Sequence, residues 1–307
     1  MYYCEHMEAS NQTFQLIDGK KISEQIIEEI AIETKQWVSR NHRKPHLVAV
    51  LIGNDGASET YVSSKMKTCE SVGFKSSLIR CTSTITEKQL IGKIEKLNND
   101  PEVDGFIIQL PLPRHISELK VIEAINPAKD VDGFHPSNIG RMALNLPAYL
   151  PATPFGILTL LQRYNIVTEG KNCVVIGRSH IVGSPMSMLL SRNSEPGNCT
   201  VTLCHSKTKN LVDVCKQADI IIAALGKPEF ITKEFIKPGA VVIDVGIHRV
   251  EDATKPKGYH ITGDVKFAEV SPLCSYITPV PGGVGPMTIV ALLQNTLLAA
   301  KGEVFTK

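Results

Sequence analysis

"CVVIGRSHIVGSPMSMLL", residues 173–190, passes from an apolar run through glycines to a helical pattern. Cys173 to Ile176 form a short apolar run, the pattern of a buried strand. Gly177 supplies a turn, and helical spacing resumes from Gly183. Strand, glycine turn and helix start, in that order, form the opening of a dinucleotide-binding unit. Gly177 and Gly183 stand where backbone could approach a pyrophosphate at a helix N-terminus. The spacing is not GxGxxG, so on this stretch alone an ordinary tight βα turn reads equally well.

The residues that follow favour the nucleotide. "CTVTLC", "KNLVDVCKQ", "DIIIAALG", "TKEFIK" and "AVVIDVG" continue as strand, helix, strand, helix, strand. That is a doubly wound, Rossmann-like unit. An NAD site usually carries Asp or Glu near the end of the second strand, to accept from the ribose 2′-hydroxyl. Here that strand ends "CTVTLCHSKT" without an acid. Ser206, Lys207 and Thr208 offer donors instead, and Arg178 sits in the first turn. Donors plus a cation suit a 2′-phosphate, so NADP is expected over NAD.

The N-terminal half alternates in the same way. "SEQIIEEIAIETKQWV" has helical spacing with Ser23 as a possible N-cap, "HLVAVLIG" reads as a buried strand, and "SETYVSSKMKTCESVG" as a helix that Gly73 can close. "TEKQLIGKIEKLNND" is another helix and "VDGFIIQLPLP" another buried strand. Continuous apolar strands between helices indicate a parallel sheet covered on both faces. "GILTLLQRY" reads as a linking helix, and a last helix is expected over about 286–300.

Bulk properties narrow the class. The 307 residues are 43% hydrophobic and 21% charged, which suits a globular chain of two domains or one large one. Net charge is only +2, which argues against nucleic acid as a partner. Eight cysteines show no CxxC pair; a reducing compartment, the cytoplasm, is expected. No stretch reaches the roughly 20 apolar residues of a membrane span. The opening "MYYCEHMEASNQ" reads as a frayed tail without a targeting pattern.

Several positions carry candidate chemistry. Tyr61 and Lys65 lie four apart on one helix, off the Val62–Met66–Cys69 stripe, where two exposed polar residues are the plain reading. Gln109 ends an apolar strand, and strand carboxyl ends face the ligand crevice of open α/β sheets. In "KDVDGFHPSNIGR", Asp130 and Asp132 could suggest a metal, but no third ligand stands nearby except His135, and the EF-hand spacing is absent. One suits a turn, and the other could grip a ligand with a two-donor edge.

"YVSSK", "IIQLPLP", "KDVDGFHPSNIGR", "PATPFGI", "VVIGRSHIVGSPM", "CHSKT", "GAVVIDVGI", "GDV" and "YITPVPGGVGPMT" together closely resemble the methylenetetrahydrofolate dehydrogenase/methenyltetrahydrofolate cyclohydrolase family. The resemblance runs in order from about Leu16 to Ala300. It implies two α/β domains flanking a cleft: residues 1–150 plus 286–307 for folate and catalysis, and 151–285 for NADP. It implies a homodimer joined through the nucleotide domain. It implies oxidation of 5,10-methylenetetrahydrofolate by NADP, then hydrolysis of the methenyl cation to 10-formyltetrahydrofolate. Lys65 matches the catalytic lysine, Gln109 the residue positioning it, and Tyr61 the aromatic packed on folate. Asp132 matches the pterin carboxylate. Arg178, Ser179 and Ser206 match the NADP contacts, and Ile247 a position whose backbone meets the cofactor. No metal is implied.

"TPVPGGVGPMT", residues 278–288, is read as a rigid loop beside the ligands. Pro281 and Gly282 would contact substrate, the prolines restricting the loop and the glycines admitting close approach. A cis X–Pro bond is compatible with this loop. Pro286 is placed at helix position N1. Two departures from the family pattern stand near the expected cofactor rim. His248 occupies the place of Asn in "DVGIN", and His180 follows "GRS".

Overall fold

The computed structural model describes residues 14–256 and 258–305, less the side chain of residue 57. The N-terminal tail and Cys4 lie outside the described residues. In chain order the elements are β1 (Gln15–Leu16), α1 (Gly19–Ser39), β2 (His46–Ile52), α2 (Gly56–Ser71), β3 (Lys75–Cys81), α3 (Glu87–Asn99), β4 (Gly105–Ile108), α4 (Glu118–Glu123) and α5 (Pro136–Ala143). They continue as α6 (Ala152–Arg163), β5 (Asn172–Ile176), α7 (Gly183–Ser191), β6 (Thr200–Cys204), α8 (Leu211–Cys215), β7 (Ile220–Ala223) and β8 (Ala240–Asp244). The last are β9 (His248–Glu251), β10 (Tyr259–Thr262), α9 (Phe267–Val270), β11 (Cys274–Ile277) and α10 (Val284–Lys301).

These residues form two compact α/β units, 20–159 with 286–305 and 14–19 with 160–285. The first therefore reaches nine residues beyond the expected limit of 150. The second also takes in β1, because Gln15 and Leu16 pair in parallel with Tyr276 and Ile277 of β11.

In unit 20–159/286–305, the parallel sheet has order β3-β2-β4. Every residue of the central strand β2 is buried, in keeping with the apolar run from Leu47 to Ile52. Val48, Val50, Phe106 and Ile108 pack with Leu90, Ile94 and Leu97 of α3. That helix starts at a capping box: Thr86 accepts from Gln89 N, and the Gln89 side chain reaches back to Thr86 N.

In unit 14–19/160–285, six parallel strands run in the order β1-β11-β8-β7-β5-β6. β7 and β8 are wholly buried. The seven described cysteines are free and buried, behaving as small hydrophobes. β9 and β10 form a separate antiparallel hairpin.

Several local expectations shift. Ser23 lies inside α1 and donates to Lys20 O, so it caps nothing. Helix formation starts four residues earlier, at Gly19. "TKEFIK" makes only a three-residue 3₁₀ turn, Lys233–Phe235. α10 begins at Val284, so Pro286 is its third residue, still among the first-turn positions whose N–H has no helical partner. Among the described residues no helix is long and apolar enough to cross a membrane.

Ile222, fully buried in β7, tests the core of the six-stranded sheet. Ile222→Ala is expected to cost about 2–5 kcal/mol and lower the midpoint of urea unfolding followed by circular dichroism.

Candidate functional site

α2 carries the first set of residues. Asp55 caps it by accepting from Ser58 N at 2.8 Å. Tyr61 and Lys65 follow one turn apart. Lys65 is only 7% exposed, against the plain reading of an exposed polar residue. Its Nζ donates to Gln109 Oε1 at 3.4 Å and lies 4.5 Å from the centroid of the Tyr61 ring. The Tyr61 hydroxyl is hydrogen-bonded to Thr288 Oγ1 of α10.

Gln109 continues β4 by donating its backbone N–H to Val50 O at 2.9 Å. Its amide Nε2 donates to Leu110 O at 2.7 Å, which turns Oε1 toward the lysine. One face of the amide is thus locked and the other is offered to an ammonium or a free amine.

Asp130 and Asp132 divide their tasks. Asp130 is buried and accepts from His135 N at 2.7 Å and Asn138 Nδ2 at 2.9 Å. It holds the loop that presents its neighbour. Asp132 is half-buried. Burial pushes its carboxyl up, and the charge of Lys65 pulls it back down. Asp132 and Lys65 therefore feel each other's charge within one unit. Gly133, at φ +74°, has no room for a side chain: a Cβ would meet Leu150 C at 2.5 Å. Asn295 of α10 fixes both strips of backbone, donating to Val131 O at 2.8 Å and Leu150 O at 2.9 Å.

The second set belongs to the other unit. Gly177 ends β5 at φ +124°, and a Cβ there would lie 2.0 Å from Ala224 O. A Cβ on Gly183 would lie 1.9 Å from Gly177 O. Only glycines permit this turn. Ser179 Oγ accepts from Val182 N at 3.1 Å and closes it ahead of α7. After β6, Thr208 Oγ1 accepts from His205 N at 2.9 Å and shapes the next loop.

Gly177, Arg178, Ser179, His205, Ser206 and Leu225 line one cavity of ≈ 320 Å³. Arg178 and Ser206 are exposed to it, and no carboxylate lines it. This donor set fits a dinucleotide: backbone and α7 for the pyrophosphate, Arg178 and Ser206 for a 2′-phosphate. Ile247 lies outside that lining and is 62% exposed.

Pro281 and Gly282 belong to this same unit. Val280–Pro281 is cis, and Gly282 has φ +104°. Gly283 is walled in: a Cβ would meet Pro279 O at 2.5 Å. The loop backs onto Gly19, whose Cβ would strike Gly283 O at 1.8 Å.

The structure thus gathers Tyr61, Lys65, Gln109 and Asp132 in one unit. Gly177, Arg178, Ser179 and Ser206 meet around the cavity of the other. A larger open groove of ≈ 770 Å³, with Arg80, Thr82, Gln89, Lys93 and Lys96, holds none of these residues. Arg80 there is already paired with Glu59 at 2.6 Å. Among the described residues no group of three His, Cys, Asp or Glu could hold a metal. Sequence reasoning missed Thr288 and Asn295. The signal for Asn295 was a polar residue inside the apolar run "IVALLQNTLLAA".

Comparison with known proteins finds two family models that match successive stretches of the chain. Residues 17–132 match the tetrahydrofolate dehydrogenase/cyclohydrolase catalytic domain, and residues 151–304 the NAD(P)-binding domain of the same family. The bifunctional protein FolD of Porphyromonas gingivalis is 61% identical over 290 residues, covering 94% of this chain and 98% of that protein. The crystal structure of the bifunctional methylenetetrahydrofolate dehydrogenase/cyclohydrolase FolD from Campylobacter jejuni superposes with TM-score 0.89 at 45% identity, covering 94% of this chain and 99% of that one. The Trypanosoma brucei N5,N10-methylenetetrahydrofolate dehydrogenase-cyclohydrolase, complexed with NADP cofactor and inhibitor, gives TM-score 0.89 at 35% identity, covering 95% and 98%.

Asp130 gives a pH test of the loop. Burial raises its carboxyl from the ordinary 3.8 to about 7, although its hydrogen bonds oppose this. Between those values the folded chain keeps a proton that the unfolded chain has lost. Its contribution to stability therefore falls as pH rises through that window, by up to about 1.4 kcal/mol per pH unit. Asp130→Asn is expected to remove this slope when urea unfolding is compared at several pH values. Parallel profiles for the two proteins would refute it.

Proposed function

We propose residue roles from one premise: this chain belongs to the tetrahydrofolate dehydrogenase/cyclohydrolase family. It is a bifunctional enzyme of one-carbon metabolism. It oxidises 5,10-methylenetetrahydrofolate to the 5,10-methenyl cation with NADP and hydrolyses that cation to 10-formyltetrahydrofolate. The observation that carries the reading is the buried Lys65 amine, held by Gln109 and Tyr61 in the unit that also presents Asp132.

Unit 20–159/286–305 is read as the folate-binding catalytic domain and unit 14–19/160–285 as the NADP domain. Asp132 would accept two parallel N–H bonds from the amino-pyrimidine edge of the pterin, a pairing that fixes orientation. Tyr61, restrained by Thr288, would pack its ring on the folate. Gly177, Ser179 and the start of α7 would hold the pyrophosphate, Arg178 and Ser206 the 2′-phosphate, and Ile247 would meet the cofactor through its backbone. Pro281 and Gly282 would touch substrate.

Bound NADP supplies the hydride acceptor of the first step. The methylene carbon lies between two nitrogens, whose lone pairs stabilise the cation left behind. The protein's task in that step is orientation.

Hydrolysis asks more. Water attacks the methenyl carbon and gives up a proton, which the Lys65 free amine would accept. The bond from that carbon to N5 then breaks. The new hydroxyl loses its proton as the formyl C=O forms on N10, and N5 gains one. Gln109 Oε1 would aim the amine without adding charge to a site that holds a cation.

The active form is read as a homodimer joined through the NADP unit. The exposed Val167, Ile181 and Met188 on that unit support this reading. The absence of a membrane-crossing helix among the described residues is compatible with a cytoplasmic enzyme.

The direct test supplies 5,10-methylenetetrahydrofolate with NADP, and with NAD in parallel, and follows NADPH and 10-formyl product. Both products with NADP, and far less reduced nucleotide with NAD, are expected. Arg178→Ala should raise KM for NADP roughly tenfold to a hundredfold, about 1.5–3 kcal/mol for a charge-assisted bond, with less effect on NAD. An equal effect on both nucleotides would remove Arg178 from the 2′-phosphate.

A further inference from the structure

Asp264 joins three segments of the nucleotide unit. Its side chain is fully buried, and its carboxylate accepts four hydrogen bonds. Oδ2 takes Leu225 N at 2.7 Å and Gly226 N at 3.0 Å. Oδ1 takes Lys227 N at 2.9 Å and His248 Nε2 at 2.7 Å. Three consecutive backbone donors thus wrap one anion. Gly226 sits at φ +71°, where a glycine makes the wrap possible.

This loop is part of the nucleotide cavity. Ala224, Leu225 and Lys227 line it together with Gly177, Arg178 and Ser206. Ala224 O is the atom that excludes any side chain at Gly177. A shift of residues 224–227 would therefore change the wall against which the first βα turn is packed.

A second buried carboxylate stands behind the first. Asp244 accepts from Gly246 N at 3.0 Å, Asp264 N at 2.9 Å and Val265 N at 2.9 Å. Space around the pair is fully used: a Cβ on Gly263 would lie 1.9 Å from Asp244 Oδ2, and one on Gly246 2.6 Å from Asp264 Oδ1. Two neighbouring anions repel, and each needs donors to stay buried. Among the described residues, the donors to Asp244 are backbone N–H groups. At Asp264, among the described residues, His248 is the side-chain donor.

His248 also opens β9, directly after the exposed Ile247. One imidazole N–H therefore anchors both the 225–227 wall and the segment carrying Ile247.

We infer that His248 is a positioning residue for the nucleotide: through Asp264 it holds the 224–227 wall of the cavity and the Ile247 backbone in their binding arrangement. This rests on the reading of that cavity as the NADP site. His248 touches neither nucleotide phosphates nor reacting atoms in this scheme. It acts through the carboxylate.

The test uses the full chain and two variants. His248→Leu keeps bulk and removes the donor; His248→Gln restores a neutral N–H at similar reach. NADP affinity is measured by calorimetry, KM and kcat by NADPH formation, and hydrolysis of 5,10-methenyltetrahydrofolate without nucleotide serves as internal control. His248→Leu is expected to weaken NADP binding and raise its KM about tenfold, the loss of one buried hydrogen bond to a charged acceptor. Hydrolysis should stay within about twofold of wild type, and His248→Gln should recover most of the affinity. Wild-type NADP affinity in His248→Leu would overturn the inference. So would failure of His248→Gln to recover affinity, or a parallel loss of nucleotide-free hydrolysis, which would indicate a general folding defect. A wild-type protein that hydrolyses the methenyl substrate yet binds no NADP would overturn the reading of the cavity itself.

Discussion

An amine withdrawn from water must be given partners, and the catalytic unit is organised around that constraint at Lys65. Burial of an unpaired ammonium costs several kcal/mol. Here the compensation comes from an amide oxygen, an aromatic face and a carboxylate charge in the same unit. Each of these is in turn fixed by something else. Gln109 is locked by its own bond to Leu110 O, Tyr61 by Thr288, and the Asp132 loop by Asp130 and Asn295. The arrangement keeps a small basic group dry and aimed.

The nucleotide unit solves a different problem, the approach of backbone to an anion. It does so by omission of side chains. Gly177 and Gly183 let β5, α7 and the loop after β7 come within contact of one another, and Arg178 and Ser206 then supply charge and donors. The carboxylates of Asp244 and Asp264 lie behind this surface and gather backbone N–H groups from the loops that shape it. Anions in the protein thus organise the proposed nucleotide site without lining it.

Much of this was legible in the sequence because period and turn chemistry are local. The apolar runs of β2, β5, β7 and β8, and the glycine turn at Gly177, follow from a few adjacent residues. The site residues are legible as motifs of a family, not from periodicity: helical spacing alone puts Lys65 on an exposed face. What the sequence hid was long-range. β1 joins a sheet with β11, some 260 residues downstream, and two residues carry no strand signal of their own. Asn295 acts on Val131 and Leu150, and His248 on Asp264, through contacts that no local pattern encodes. Ser23 failed as a cap because α1 had already begun at Gly19.

On the proposed reading Lys65 serves hydrolysis rather than hydride transfer, and a single experiment separates the two roles. Lys65→Met is given 5,10-methylenetetrahydrofolate and NADP, and NADPH, the methenyl cation and 10-formyltetrahydrofolate are followed together. The expected result is continued NADPH formation with accumulation of the methenyl cation and loss of enzymatic formyl product. Formation of 10-formyltetrahydrofolate at the wild-type rate would contradict it.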